Sequence, residues 1–532
     1  MRQRLREFKP LLFTTTMRNP NRLKALLYVL ANFNNQTLTN ELCTKIMGEL
    51  IRYGLYCSQK STESIKKKWG LRRKNEQLPI GIELLKDEEV EYILKNNPQL
   101  HKEAGFDKGW PSRFATIFDL AKEFGFVYYK IGDKIEFSKL GEKLINSIEI
   151  KSEYGQIIYS EIDALVEQAV FCNSLAKYQR NNPFVRVLNN NVPLILLLQV
   201  IKKLNEDTNF NSIGISILEL PLLIWWKDNN AESLYQRIKL IRENYGYNPS
   251  WEVIIEICIN EIMGGNFKKF KPKSIMLEYP DEFIRKMRLT GLISLRGGGR
   301  FVDINKTEIE KINYILNKYS NFKNFEDEKE WFNYISKIDE RLISEPKKLA
   351  ASHVNKLLDK WIEMYNWEKI KAELLILIKK RITTDNILKY LNNSVRLEFL
   401  ISLAVKSKFP AILVLPNYIC DDEGIPTSTA IGGKADIECF NDNDTDVKGF
   451  IIEVTMSEGR TQTVMEVWPI ARHLEEFKEK YIDAFCYFIA PTIYKDSLRQ
   501  IAFLASVEQL VVKAYSIIDF VEFLENGRGL SI

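Results

Sequence analysis

Gly449-Phe450-Ile451-Ile452-Glu453-Val454-Thr455 reads as an apolar strand that carries one carboxylate near its far end. Seventeen positions before Glu453, the run Gly433-Lys434-Ala435-Asp436-Ile437-Glu438 opens a second strand with a carboxylate of its own. The chain between them, from Asn441 through Asp442, Asn443, Asp444, Thr445, Asp446 and Val447 to Lys448, is polar and of hairpin type. The two strands can therefore be neighbours and their acids can converge. Buried alone, either carboxylate costs roughly several kcal/mol, and a hard cation such as Mg²⁺ removes that cost because it takes carboxylate oxygens. The alternative is a pair of acids facing solvent on a sheet edge.

Working outward, the segment from about residue 385 alternates helical and extended patterns. A helix is predicted over 384–406, strands over 411–415, 434–440 and 449–455, a helix over 463–480 and a strand over 484–490. A strand over 510–515 and a helix over 517–524 follow. The order αβββαβ implies a mixed sheet flanked by helices, with a ligand site where strand ends diverge.

The first two thirds are helical with short strand pairs. Residues 111–125 place Phe114, Ile117, Phe118 and Ala121 on one helical stripe that ends at Gly125. Extended runs 126–130 and 134–137 flank an Ile131-Gly132-Asp133 turn, and Ser138 is set to cap the next helix. A second copy runs from a helix over 281–290 through Gly291 to strands 292–295 and 300–304 about Arg296-Gly297-Gly298-Gly299. Helix, two-stranded wing and helix is the ending of a winged-helix unit, whose helix before the wing would enter the major groove.

The expected organisation is multidomain α+β. An N-terminal basic DNA-recognition domain with a winged-helix unit spans 1–150, and a second helical and winged-helix domain spans 151–305. A helical linker over 306–384, broken at Ser344-Glu345-Pro346-Lys347-Lys348, leads to a C-terminal α/β domain over 385–532.

Composition limits the alternatives. With 532 residues, 45% hydrophobic and 27% charged, the chain can bury several cores and is not a disordered polypeptide. Its net charge of +5 is unevenly spread. Residues 1–80 carry sixteen Lys/Arg against five Asp/Glu, whereas 151–532 carry 49 against 52. A basic end on a near-neutral remainder suits a polyphosphate such as double-stranded DNA, a solvated helix face being the alternative. Seven scattered cysteines without a CxxC pair point away from a disulfide framework or a zinc site. No apolar run is long enough for a membrane span, so no membrane partner is expected, and scattered free thiols suit a reducing cytoplasm.

Beyond the strand pair, Met465-Glu466 and Pro469-Ile470-Ala471-Arg472-His473 complete a pattern that resembles the catalytic domain of AlwI-type type IIS restriction endonucleases and the related BstNBI-type nicking enzymes, members of the PD-(D/E)xK superfamily. Its most specific piece is Glu453-Val454-Thr455 followed by Glu466 and His473. Phe13-Thr14-Thr15-Thr16-Met17-Arg18-Asn19-Pro20 with Val29-Leu30-Ala31-Asn32-Phe33 is similar to the N-terminal signature of the group, so the resemblance spans nearly the whole chain. Two departures stand out. Ala435 replaces the proline before the first aspartate, and Thr455 replaces the lysine of the triplet, as in the BstNBI-type enzymes.

The resemblance implies Mg²⁺ as cofactor, with Asp436, Glu453, Glu466 and the backbone oxygen of Val454 as its ligands. It implies His473 as general acid/base or phosphate holder, against a core or helix-surface histidine, and a carboxylate contributed by Glu398 from the first helix, against an exposed acid or a salt bridge. A single unbroken helix would put Glu466 and His473 on one face, whereas a helix beginning at Pro469 would leave Glu466 in the preceding turn. For DNA, Lys66, Lys67, Lys68, Arg72 and Arg73 are the phosphate-contact cluster, and Arg18, Asn19 and Arg113 suit base readout because forked or amide side chains can bond two edge atoms. A solvated loop is the alternative for the lysines. The resemblance further implies a prokaryotic cytoplasm, a short asymmetric target related to GGATC with cleavage a few base pairs away, and a cognate DNA methyltransferase. Because one metal site ordinarily cuts one strand, a double-strand break would require a transient homodimer through the nuclease domain or sequential nicking. A strand-specific nickase and a non-catalytic winged-helix regulator are the other readings.

Overall fold

Alternating apolar residues build a five-stranded sheet at the C-terminal end of the chain, in a computed structural model that describes residues 7–13, 20–69, 82–153, 155–264, 271–430, 432–441 and 448–526. Its strands are β1 (Ile412–Pro416), β2 (Ile437–Asn441), β3 (Gly449–Val454), β4 (Cys486–Ala490) and β5 (Val512–Ser516). They lie side by side in that sequence order. The first three are antiparallel, and β3, β4 and β5 are parallel. The sheet is thus mixed, as the alternation of elements implies. Parallel pairing demands crossovers, and the helices between β3 and β5 supply them.

Helix α1 (Asn393–Lys408) precedes the sheet, and α2 (Arg460–Met465), α3 (Val467–Lys478), α4 (Lys495–Val507) and α5 (Ile517–Glu525) follow within it. Ile451 of β3 and Cys486, Phe488 and Ala490 of β4 pack against Val467, Ile470, Ala471 and Leu474 of α3 and Ile501 and Leu504 of α4. Because side chains alternate along a strand, Glu453 lies on the face of Ile451 and so beneath α3.

Four details differ from the sequence reading. The predicted helix over 463–480 is two helices, α2 and α3, with Glu466 at the break. Pro469 is the third residue of α3, where its missing N–H is not needed, and the helix starts at Val467 rather than at the proline. The predicted helix over 384–406 begins later, after Asn392, whose side chain accepts from the Val395 N–H. A hairpin of Tyr418–Cys420 and Pro426–Ala430 is additional. Its turn depends on Asp421, whose Oδ1 accepts from the backbone of Glu423 and Ile425, and on Gly424 at φ +78°.

The chain divides into two compact units, Met1–Ile157 with Val166–Glu345, and Ile158–Leu165 with Pro346–Ile532. In the first unit, Trp110–Glu123 is followed by antiparallel Val127–Tyr128 and Glu136–Phe137. A bridge from Thr37 to Lys134 adds a third extended segment. Ser138 caps the next helix, accepting from the Gly141 N–H at 3.1 Å and donating to the Gly125 carbonyl at 2.6 Å. Further along, Tyr279–Arg288 leads to Ile293–Arg296 and Phe301–Ile304, and Ile215–Ser216 pairs with the latter as a third strand. Gly297, Gly298 and Gly299 turn this wing at positive φ. Both stretches therefore place a helix before a hairpin and pair a third segment, from earlier in the chain, with it. The residues of these two helices are buried or half-buried, Arg113, Thr116 and Lys122 on the first and Asp281 and Arg285 on the second being among the half-buried ones. No helix among the described residues is long and apolar enough to cross a membrane.

Candidate active site

Register decides where the carboxylates stand. Ile437 of β2 opposes Ile452 of β3, so one further step of the antiparallel ladder sets Asp436 opposite Glu453. Asp436 precedes the regular part of β2 and is held there by Asn417. The Asn417 N–H donates to the Asp436 carbonyl at 2.9 Å, and its side-chain amide donates to Ala435 O at 2.8 Å and to Glu438 Oε1 at 3.0 Å. The Asp436 Oδ2 accepts the Val454 N–H at 2.7 Å, across the strand pair. The side chains of Asp436 and Glu453 thus stand at facing positions of adjacent strands, where each carboxyl feels the other.

Glu466, at the break between α2 and α3, enters from above the sheet. Its Oε1 accepts Thr455 Oγ1 at 2.6 Å and Ser457 Oγ at 2.7 Å. Thr455 thus uses its hydroxyl to hold a carboxylate in the position where related nucleases carry a lysine. From α3, His473 Nδ1 lies 2.8 Å from Glu453 Oε1. From α1, the buried Glu398 accepts the Ala430 N–H on Oε2 at 3.1 Å.

The four acids feel one another. Burial pushes the Asp436 carboxyl well above the usual carboxylate range, with the charge of Glu453 next. Burial and then the Glu466 charge do the same to Glu453, and burial and then Asp436 to Glu398. Glu466 is raised less freely, since burial is opposed by the Thr455 and Ser457 hydroxyls. Burial lowers His473, so its imidazole is held toward the neutral form. Glu398 and Glu453 are buried, whereas Asp436 and Glu466 are half-buried and open to solvent on one side.

Such a set of hard oxygen donors, with mutual repulsion unrelieved by a lysine in the triplet, has the chemistry that a divalent cation relieves. Among the described residues no three His, Cys, Asp or Glu side chains are placed so as to hold a metal ion between them. Each carboxylate is instead turned to the donors named above. The expected ligands Asp436, Glu453 and Glu466 are thus neighbours, with Val454 bound to Asp436 through its N–H.

The DNA-contact residues expected from sequence are spread more widely. Arg18, Asn19, Arg72 and Arg73 lie outside the described residues. Lys66 and Lys67 are exposed, Lys66 beside Glu63 at 2.6 Å, and Lys68 is half-buried against Glu89 at 2.7 Å. Arg113 is half-buried and donates from Nε to Gln99 Oε1 at 2.9 Å. Sequence reasoning did not find Asn417 or Ser457, because single amides and hydroxyls in loops carry no spacing signal.

No curated protein matches the chain. Among solved structures, the small subunit of the heterodimeric restriction endonuclease R.BspD6I is 23% identical over 29% of this chain and 77% of its own, with a TM-score of 0.25. The restriction endonuclease FokI is 11% identical over 98% of this chain and 96% of its own, at 0.26, and FokI bound to DNA is 12% identical over 95% and 94%, at 0.25. Scores this low carry no argument. The family model for the AlwI restriction endonuclease matches residues 122–358 and 333–518, which reaches into both units and takes in the whole carboxylate cluster. The mixed sheet is consistent with a PD-(D/E)xK-like nuclease domain, and the chain belongs to the AlwI restriction endonuclease family.

Proposed function

We propose that this protein is a type IIS restriction endonuclease that binds a short asymmetric duplex site, related to GGATC, and hydrolyses phosphodiester bonds a few base pairs away. Family membership supports a DNA-cleaving hydrolase. The observation that carries the finer reading is the pairing of Asp436 with Glu453 on adjacent strands, beside Glu466. Mg²⁺ held by Asp436, Glu453, Glu466 and the Val454 carbonyl would polarise the phosphoryl oxygen and acidify bound water. Glu398 would add a carboxylate from α1.

In the reaction a water oxygen bonds to phosphorus, the bond from phosphorus to one bridging sugar oxygen breaks, and that oxygen gains a proton. His473, held neutral and anchored through Nδ1 on Glu453, has its Nε2 to take or deliver a proton or to bond a phosphate oxygen. With threonine at the triplet's third position, Glu466 takes the place of the lysine in orienting the nucleophile.

The basic N-terminal end and the two helix-plus-wing stretches, over 1–150 and 151–305, would grip the duplex. Arg18, Asn19 and Arg113 would read bases and Lys66, Lys67, Lys68, Arg72 and Arg73 would contact phosphates. One catalytic centre cuts one strand, so a double-strand break requires a second domain, supplied by a transient homodimer or by sequential nicking. A companion methyltransferase would protect the host's sites.

The test is supercoiled plasmid with Mg²⁺ and then with EDTA. Linear product supports the endonuclease, open-circular product a strand-specific nickase, and intact plasmid despite a gel shift a DNA-binding regulator. Wild-type activity in Asp436→Ala or Glu453→Ala would overturn the site.

A further inference from the structure

We infer that Ser457 and Gln462 are positioning residues that fix the Glu466 carboxylate, an assignment that rests on the nuclease reading above. Between β3 and α2 the chain runs through residues 455–458 without regular structure. Such a loop has no ladder to hold it, yet it presents both hydroxyls that bind Glu466. Thr455 is fixed at its start, since its N–H donates to the Ile489 carbonyl of β4 at 3.0 Å. Ser457 is not on the sheet and needs another anchor.

Gln462 supplies that anchor from α2. Its side chain is wholly buried and every nearby bond is specified. The Nε2 donates to the Ser457 carbonyl at 3.1 Å and to the Thr492 carbonyl at 2.8 Å, and the Oε1 accepts the Tyr494 N–H at 2.8 Å. Two carbonyls and one N–H permit a single orientation of the amide. Glutamate there would turn an oxygen onto two carbonyls. The amide thus ties the loop after β3 to the loop after β4. A second buried contact, Thr463 Oγ1 to Ser497 Oγ at 2.8 Å, ties α2 to α4.

The consequence falls on Glu466. Two hydroxyl protons take both lone-pair directions of its Oε1, at 2.6 and 2.7 Å, while the Ser457 N–H donates to Thr455 Oγ1 at 2.9 Å and so joins the two hydroxyls. The plane of the carboxylate is set, and Oε2 is left as the oxygen with bonding capacity to spare. Ser457 and Gln462 would therefore support Glu466 as outer partners support metal ligands generally, where loss costs about 10–100-fold in affinity or rate.

The test compares wild type with Ser457→Ala, Ser457→Thr and Gln462→Met on supercoiled plasmid across a Mg²⁺ titration, with gel shifts in EDTA and the melting-temperature rise produced by Ca²⁺. Ser457→Ala is expected to lose about 10–100-fold in kcat, to need several-fold more Mg²⁺ for half-maximal rate and to show a smaller Ca²⁺ shift, with unchanged KM and DNA affinity. Ser457→Thr, which keeps the hydroxyl, restores most of the rate. Gln462→Met follows Ser457→Ala. If Gln462→Met fails to fold, the serine pair decides. Wild-type kcat and ion dependence in Ser457→Ala overturns the assignment while leaving the nuclease reading intact. A rate loss equal in the alanine and threonine variants also overturns it. Wild-type protein that cuts nothing removes the nuclease reading, and the assignment with it.

Discussion

Replacing Asp436 by asparagine should make the protein more stable and less active, for one electrostatic reason. Asp436 and Glu453 face each other across β2 and β3, and after burial the Glu453 charge is what raises the Asp436 carboxyl. Two like charges about 4 Å apart repel by about 4 kcal/mol at an effective dielectric constant near 20. The raised carboxyl takes up a proton more readily and so avoids part of that, and the gain on neutralising one partner is about 1–3 kcal/mol at pH 8 in chelator. Asparagine keeps the local bonds, because its Oδ1 can accept the Val454 N–H and its Nδ2 can donate to Glu453. For a unit of this size about 2–4 °C accompanies each kcal/mol, so the second unit should melt roughly 2–12 °C higher.

The sign with pH follows from the raised carboxyl. A group protonated more readily in the fold than in the unfolded chain contributes stability that is complete below its unfolded pKa, about 4, and that is lost as pH climbs through the folded value. The wild type should therefore lose melting temperature on going alkaline, and Asp436→Asn should lose less. Calorimetry in EDTA from pH 5 to 9 reads both effects. Mg²⁺-dependent cleavage should fall on the order of a thousandfold, since a liganding carboxylate accounts for several kcal/mol of transition-state stabilisation. A variant that melts no higher than wild type at pH 8, with an unchanged pH slope, would refute the coupling.

Other outcomes follow from the first unit. Arg242 bonds Glu219 through Nε and Nη2 at 2.9 and 2.8 Å, both side chains fully buried, and also holds the Gly214 carbonyl at 2.7 Å beside the short strand Ile215–Ser216. Arg242→Met strands the glutamate and should cost about 3–5 kcal/mol in urea denaturation. Glu123 is pushed up to about 8 by burial and then by Asp119, and accepts Tyr178 Oη at 3.0 Å. Its contribution is present below about pH 4 and lost by about pH 8, so Glu123→Gln should flatten the pH dependence of that unit's melting over this interval. A Cβ on Gly141 would stand 2.1 Å from the Phe126 carbonyl oxygen, so Gly141→Ala should destabilise the helix after the first hairpin by about 1–3 kcal/mol or more, measured by thermal melting.

Much of the second unit was legible because its signals are local. Phe450-Ile451-Ile452-Glu453-Val454 is apolar on both faces, as a strand buried on both sides must be, and one acid within it is conspicuous. The strand pair with Asp436 followed from the short polar connection. The break at Glu466 did not, because Pro469 fits either a helix start or the first turn of a helix already begun. The hairpin Tyr418–Cys420 with Pro426–Ala430 escaped because its turn is made by the Asp421 side chain on backbone N–H groups, a contact without periodicity.

Alone, the sequence determined the order of helices and strands, the basic end and the kind of residues that carry chemistry, since these depend on neighbours within a turn or a strand. Tertiary structure decided the ladder register that sets Asp436 against Glu453. It also decided that His473 reaches Glu453, and that Ser457 and Gln462 stand behind Glu466. Those contacts join residues on separate elements. A hydrogen bond a few ångströms long depends on how the elements pack, which no local pattern specifies.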